Sequence, residues 1–268
     1  MSKSMDAGNR GSDGVTPPIK RPPLLNITVP RLRGIKPPYK GSIERPIDIV
    51  LLTVKDVEFL NCYAVLTNVY YSNFQSLGKV YFGEIASEDG ISKVKVALLR
   101  CGESAGAARG SLNVTSNAIV SLAPKAVICA GFCGGINPGR AKLGDVVIST
   151  TLSTYNNDIT TDVTRHMGVL TFTVAHGWDP PLEDPDIYDV EVHTDRAVLS
   201  GPELVNDEAR RKQLLEKYPM AVAIEMEGEG INFNIYNCVP SISFVLLFYI
   251  PVYEIITDYK SSEVSRKY

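Results

Sequence analysis

Ala126-Val127-Ile128-Cys129-Ala130-Gly131-Phe132-Cys133-Gly134-Gly135 is the stretch that decides the fold. Pro124 closes whatever precedes it, and the five residues from Ala126 form a short apolar run of the kind that fills a strand buried on both faces. Glycines follow at once. In open α/β sheets, ligands sit beyond the carboxyl ends of the strands, and glycine lets the backbone come close to a ligand. Taken alone, the motif leaves a tight turn and a ligand loop equally open. It is not a dinucleotide fingerprint, because the G-x-G-x-x-G order is missing.

Working back from this strand, Leu112 to Leu122 predicts a helix that Pro124 ends, preceded by a small, Gly/Ala-rich segment, Gly102–Gly110. Val94–Leu99 and Val80–Ile85 predict strands joined through an Asp89-Gly90 turn. Val57 to Val69 predicts a helix, and Ile47–Thr53 a buried, β-branched strand. Working forward, Asp145–Ser149 predicts another strand, and residues 156–195, rich in Asp, Pro and Thr, a long irregular loop. Asp207 to Tyr218 predicts an amphipathic helix with Asp207 at its N-cap and Leu214 and Leu215 facing inward. Strands alternating with helices in this rhythm define an α/β fold with a mixed, largely parallel central sheet flanked by helices.

The flanks differ from this centre. Residues 1–45 are Gly-rich, then Pro-rich and basic, and predict a disordered or polyproline tail, or a basic arm that docks a partner. The folded domain is expected over 46–231. Residues 232–268 look atypical. Their apolar run from Val239 to Ile256 is broken by Pro240 and Pro251, and its uninterrupted core, Phe244–Ile250, is too short for the roughly 20 residues that cross a bilayer.

The formal net charge of -3 over 268 residues gives no drive toward nucleic acid or an anionic membrane. Five cysteines with unrelated spacing and three histidines without helical pairing predict no metal site. Reduced thiols and the lack of an apolar leader among the first 20 residues predict a cytoplasmic protein.

Two further stretches carry candidate chemistry. Cys101-Gly102-Glu103-Ser104-Ala105-Gly106 follows a strand and leads toward a helix, where backbone N–H groups can hold an anion or a hydroxyl. Ile224-Glu225-Met226-Glu227-Gly228 places two acids around a methionine. If the segment is extended, Glu225 and Glu227 point to the same side. A carboxylate accepts two hydrogen bonds side by side and suits vicinal ribose hydroxyls; in isolation a solvated acidic turn is the favoured reading.

The blocks in order resemble the purine nucleoside and uridine phosphorylase superfamily, which includes the methylthioadenosine/S-adenosylhomocysteine nucleosidases. The resemblance spans roughly Asp48 to Ile231. It rests on the strand ending at Glu58, the Cys101–Gly106 loop, the Gly131–Gly135 loop with Leu143-Gly144-Asp145-Val146-Val147, and Glu225-Met226-Glu227-Gly228, with Ser200-Gly201-Pro202 between.

The resemblance implies Glu58 as the base that activates water, Glu227 as the grip on the ribose hydroxyls, and Met226 as packing beneath the sugar. Gly102, Phe132 and Gly134 would line the pocket, and Phe172 would lie against the base unless Trp178 supplies that ring. Asp258 matches the acid that protonates purine N7. No cofactor is implied. The ligand would be a purine nucleoside or nucleotide, with phosphate as a further ligand, and relatives commonly form homo-oligomers.

The phosphorylases resembling this chain carry an Arg just before the glycine loop. Here the stretch is Val127-Ile128-Cys129-Ala130, which favours water over phosphate as nucleophile, although Arg100 and Arg109 lie nearby in sequence. Arg165 and His166 would suit a charged 5′ group. Glu227 to Asp258 is longer than the family's spacing and no closing helix is expected before Tyr268. Three readings therefore stand: a hydrolase of purine ribonucleosides or nucleotides, a phosphate-dependent phosphorylase, and a catalytically impaired nucleoside-binding or regulatory module.

Overall fold

The computed structural model describes residues 27–86, 92–141, 145–156, 159–162, 192–238 and 243–249. Their strands join in one sheet. In chain order the elements are β1 (Ile49–Thr53), α1 (Asp56–Ala64), β2 (Thr67–Phe74), β3 (Gly78–Ala86), β4 (Lys93–Arg100), α2 (Ser111–Leu122), β5 (Ala126–Phe132) and β6 (Gly134–Gly135). Then follow β7 (Val146–Thr154), β8 (Ile159–Asp162), β9 (Val192–Ser200), α3 (Glu208–Lys217), β10 (Ala221–Glu225), α4 (Gly228–Cys238) and β11 (Ser243–Tyr249).

The sheet order is β2-β3-β4-β1-β5-β11-β7-β9-β10-β6, with β8 paired to β7. Strand β1 runs parallel to β4 and β5, β5 parallel to β11, and β9 parallel to β7 and β10. The β2-β3-β4 meander and the β11–β7 contact are antiparallel. The sheet is mixed, with parallel pairing at its centre. Strands β1 and β5 are apolar almost throughout because helices cover both faces of a central parallel strand. Val50, Leu52, Val127, Cys129, Ala118 and Leu122 pack in one core cluster, so α2 is anchored against β1 and β5.

Three expectations need correction. The helix after β1 stops at Ala64, and Thr67–Phe74 is a strand. Its Tyr70 and Tyr71 are aromatic residues that the pleated surface accommodates well, with Tyr70 stacking on Phe82 at 5.2 Å. The expected loop over 156–195 contains β8 and the start of β9, whose Thr and Val residues are β-branched and pair with β7. Glu225 closes β10, so the extended geometry that would align Glu225 with Glu227 ends there.

At the flanks, the segment before β1 lies along β2. Lys40 N and Tyr71 O are 2.9 Å apart, as are Tyr71 N and Pro38 O, and the Tyr39 and Tyr71 rings meet at 5.4 Å. This covers the edge strand of the sheet, where bare N–H and C=O groups invite pairing with another chain. At the other flank, α4 runs through position 231 and β11 lies between β5 and β7. Asp207 accepts from Ala209 N and Arg210 N as an N-cap, and Leu214 is buried. Among the described residues, no helix is long and apolar enough to cross a membrane.

Candidate active site

Four chain segments converge beyond the carboxyl ends of the parallel strands. Strand β1 hands over to α1, β4 to the Cys101–Gly110 loop, β5 to Phe132, and β10 to Met226 and Glu227. Each turn out of the sheet leaves backbone N–H groups without strand partners, and carboxylates take them up.

Glu58 sits in the first turn of α1. Its Oε2 accepts from Val54 N at 2.7 Å and Lys55 N at 2.8 Å, so it caps its own helix. Its Oε1 accepts from Phe132 N at 3.0 Å, which ties the start of α1 to the end of β5. A carboxylate offers about four acceptor positions. Three are occupied here, and the half-buried group keeps capacity for one more donor. Gly131 makes this approach feasible, because a Cβ there would stand 3.0 Å from Glu58 Oε1.

Glu227 lies in the turn before α4. Its Oε1 accepts from Ser104 N at 2.9 Å, and its main-chain carbonyl accepts from the Ser111 hydroxyl. Ala105 N donates to Met226 O at 3.0 Å. The β4 loop and the β10 turn are thus laced together. Ser104 holds φ +72, a left-handed conformation that turns its N–H toward Glu227. Burial raises the Glu227 pKa. The Ser104 and Met226 backbone N–H groups oppose the rise, the nearby negative Glu58 adds to it, and Lys55 opposes it.

Glu225 serves differently from Glu227. It is almost completely buried, and its Oε2 accepts from Glu227 N at 2.7 Å and Gly228 N at 2.8 Å. It therefore fixes the turn that carries Glu227 and caps α4. Burial raises its pKa to about 7, and the Glu227 charge adds to the rise, while the Ser200 hydroxyl and the two N–H groups oppose it. The Cys129 thiol, buried at the core of β5, is pushed well up by burial first, then by Cys101, Glu225, Glu227 and Glu58. One thiol thus lies within the electrostatic reach of all three carboxylates.

The other expected site residues are distributed unevenly. Phe132 is 40% exposed beside Glu58. Gly102 N donates to Arg109 O at 2.6 Å. Gly134 pairs with Ile224 between β6 and β10, where a Cβ would meet Ile224 Cγ2 at 3.2 Å. Phe172, Trp178, Arg165, His166 and Asp258 lie outside the described residues. The stretch before the glycine loop, Val127–Ala130, is buried strand without a cation.

Sequence reasoning missed Ser104, Ser111 and the capping role of Glu225. A serine before Ala-Gly carries no sign that it will adopt positive φ, whereas Glu225, three residues ahead of a helix start, is a readable cap. It also missed a buried pair beneath the sheet end, where His193 Nε2 lies 2.8 Å from Asp145 Oδ2.

The sheet is thus a mixed α/β sheet with carboxylates gathered where β1 and β10 end, beside the end of β5. The family model of the Phosphorylase superfamily matches residues 49–231, and the chain belongs to that superfamily. It is 29% identical over 164 residues to a 5′-methylthioadenosine/S-adenosylhomocysteine nucleosidase of Maridesulfovibrio salexigens, a match covering 56% of this chain and 66% of that protein.

Among solved structures, it is similar to the nucleosidase of the same type from Colwellia psychrerythraea, in complex with adenine. The TM-score is 0.54 and the identity 16%, over 78% of this chain and 85% of that one. It is also similar to the Neisseria meningitidis nucleosidase in complex with methylthio-immucillin-A, with TM-score 0.54 and 20% identity over 76% and 86% of the two chains. At these identities the structural likeness concerns the fold.

Proposed function

We propose that the protein cleaves the N-glycosidic bond of a purine ribonucleoside or nucleotide with water as the nucleophile. The observation that carries this is the Glu58 carboxylate, held by three backbone N–H groups, two from the turn before α1 and one from the end of β5, with acceptor capacity to spare. A base fixed in this way can orient a water and take its proton as the sugar becomes oxocarbenium-like, without reorganising at the moment of reaction. Glu227, anchored by Ser104 N, would accept the ribose hydroxyls, and half-buried Met226 would pack under the sugar. Two hydroxyl donors also offset the burial and the Glu58 repulsion that raise the Glu227 pKa.

Departure of the base calls for an acid at purine N7, the role assigned to Asp258 by resemblance. Strand β11 ends at Tyr249, directly beside Phe132 in the parallel register. Asp258 follows about nine residues later, and an extended chain covers about 3.3 Å per residue. Water is favoured over phosphate as nucleophile because the stretch before the glycine loop, Val127–Ala130, carries no Arg, and a phosphate dianion arriving there would face Glu58 and Glu227.

The test is release of free base from a panel of purine nucleosides and 5′-nucleotides, with and without phosphate. Release without phosphate supports the proposal. Strict phosphate dependence would replace it with phosphorolysis, and ligand binding without release would leave a nucleoside-binding module.

A further inference from the structure

Glu58 and Glu227 are carried by different segments of chain, and their charges repel. Burial is the first cause that raises the Glu227 pKa, and the Glu58 charge adds to it; the Ser104 and Met226 N–H groups and the Lys55 charge act against the rise. Two carboxylates facing one cleft push apart the turns that bear them. The start of α1 and the Cys101–Gly110 loop therefore need a tie.

The sheet supplies only the foot of that tie. Strands β1 and β4 pair in parallel as far as Thr53 and Arg100, and Cys101 N donates to Thr53 O at 2.9 Å. Among the described residues, this is the last main-chain hydrogen bond between the two segments. Beyond it, Gly102 N donates to Arg109 O within the loop itself.

Two ion pairs cross the gap. Arg100 Nη1 meets Asp56 Oδ1 at 2.5 Å, and Lys55 Nζ meets Glu103 Oε1. Each side contributes one cation and one acid. Sliding one segment past the other would set Lys55 against Arg100 or Asp56 against Glu103, and like charges in contact repel. The pattern thus admits one register.

Both members of the outer pair adjoin a contact of the site. Lys55 N donates to Glu58 Oε2 at 2.8 Å. Glu103 shares its peptide bond with Ser104, whose N–H donates to Glu227 Oε1 at 2.9 Å. Ser104 sits at φ +72, which serine rarely adopts, so that N–H stays on Glu227 only while the loop around it is held.

We propose that Lys55 and Glu103 are positioning residues for the cleavage reaction: their ion pair clasps the β4 loop to the start of α1 and so sets the spacing between the base Glu58 and the ribose grip Glu227. The proposal rests on the cleavage reading. The pair is not a device for stability. The Lys55 and Glu103 side chains are 43% and 72% exposed, and exposed ion pairs contribute little to folding. Its effect falls on alignment, where a displacement of about 1 Å can cost about a hundredfold in rate.

The test is steady-state release of free base by the full chain, with the purine nucleoside or nucleotide that the wild type cleaves fastest. The variants are Lys55→Met, Glu103→Gln, the two combined, and Lys55→Arg. Each neutral single substitution lowers kcat about tenfold and leaves KM within about twofold, because the ribose still finds Glu227 and only the alignment of water with the sugar is lost. The double variant is no slower than the slower single, since all three lack the same bond. Lys55→Arg keeps the pair and most of the rate. Urea midpoints stay close to that of the wild type.

Wild-type kcat in either neutral single variant, additive losses in the double variant, or Lys55→Arg as slow as Lys55→Met overturns the clasp and leaves the cleavage reading intact. If the wild type releases no base from any purine nucleoside or nucleotide, the cleavage reading falls and the clasp falls with it.

Discussion

Replacing Glu225 with Gln should make the protein's stability less sensitive to pH. The wild-type carboxyl is buried among the turn that carries Glu227, and its folded pKa is raised to about 7 from an ordinary value of 4.5. Each pKa unit corresponds to about 1.4 kcal/mol, so the shift is worth about 3 kcal/mol. Because the folded value lies above the unfolded one, this contribution is fully present below about pH 4.5 and is lost as pH rises through about 7. A Gln keeps an oxygen for Glu227 N and Gly228 N but never ionises.

Between pH 4.5 and pH 8, wild-type stability should therefore fall by about 3 kcal/mol relative to the Gln variant. For a domain of this size that is about 6–12 °C in relative melting temperature. Thermal and urea melts of both proteins across this range measure it, with the urea slope checked for constancy. Parallel pH profiles, or a variant that loses more stability than the wild type toward pH 8, would refute the reasoning.

Three other outcomes are expected. Glu58→Gln should cut base release by about 10²–10⁴-fold with little loss of fold, because the amide oxygen still accepts helix-cap N–H bonds; stopped assays by chromatography read it. Gly131→Ala forces the Glu58 carboxylate to give way from a 3.0 Å approach, and base release should fall about 10–100-fold while the far-ultraviolet circular dichroism stays unchanged. Asp207→Ala removes the acceptor for Ala209 N and Arg210 N, and should lower stability by about 1 kcal/mol in urea melts without touching activity.

Much of the fold could be read from the sequence because burial writes itself into composition. Strands β1 and β5 are continuous apolar runs since helices cover both their faces, and α2 and α3 announce their limits through Pro124 and Asp207. Strand β2 was hidden because Thr67–Phe74 is a half-exposed edge strand whose tyrosines also continue the apolar spacing of α1; tertiary pairing with β3 decided it. Within the site, the glycine loop and the Glu-Met-Glu stretch were visible as residue types in sequence. What holds them was not. Ser104 meets Glu227 across 123 positions of chain, and no local pattern encodes that hydrogen bond. Glu58 was legible only through resemblance, since a carboxylate in the first turn of a helix is common on electrostatic grounds alone.

The distribution of charge around the cleft constrains how a ligand can lie in it. Acidic groups collect where β1 and β10 end, and cations collect further out, where β3 begins and β4 ends. The Lys55–Glu103 ion pair stands between, joining the start of α1 to the β4 loop. A nucleoside set with its hydroxyls on Glu227 and its base toward Phe132 has its remaining end free to point along Gly102 toward Lys79 and Arg109. The opposite orientation would bring a phosphate against two carboxylates, and at short range in a partly buried cleft such repulsion amounts to several kcal/mol. On the proposed reading, this repulsion would favour the orientation that keeps a phosphate away from Glu58 and Glu227.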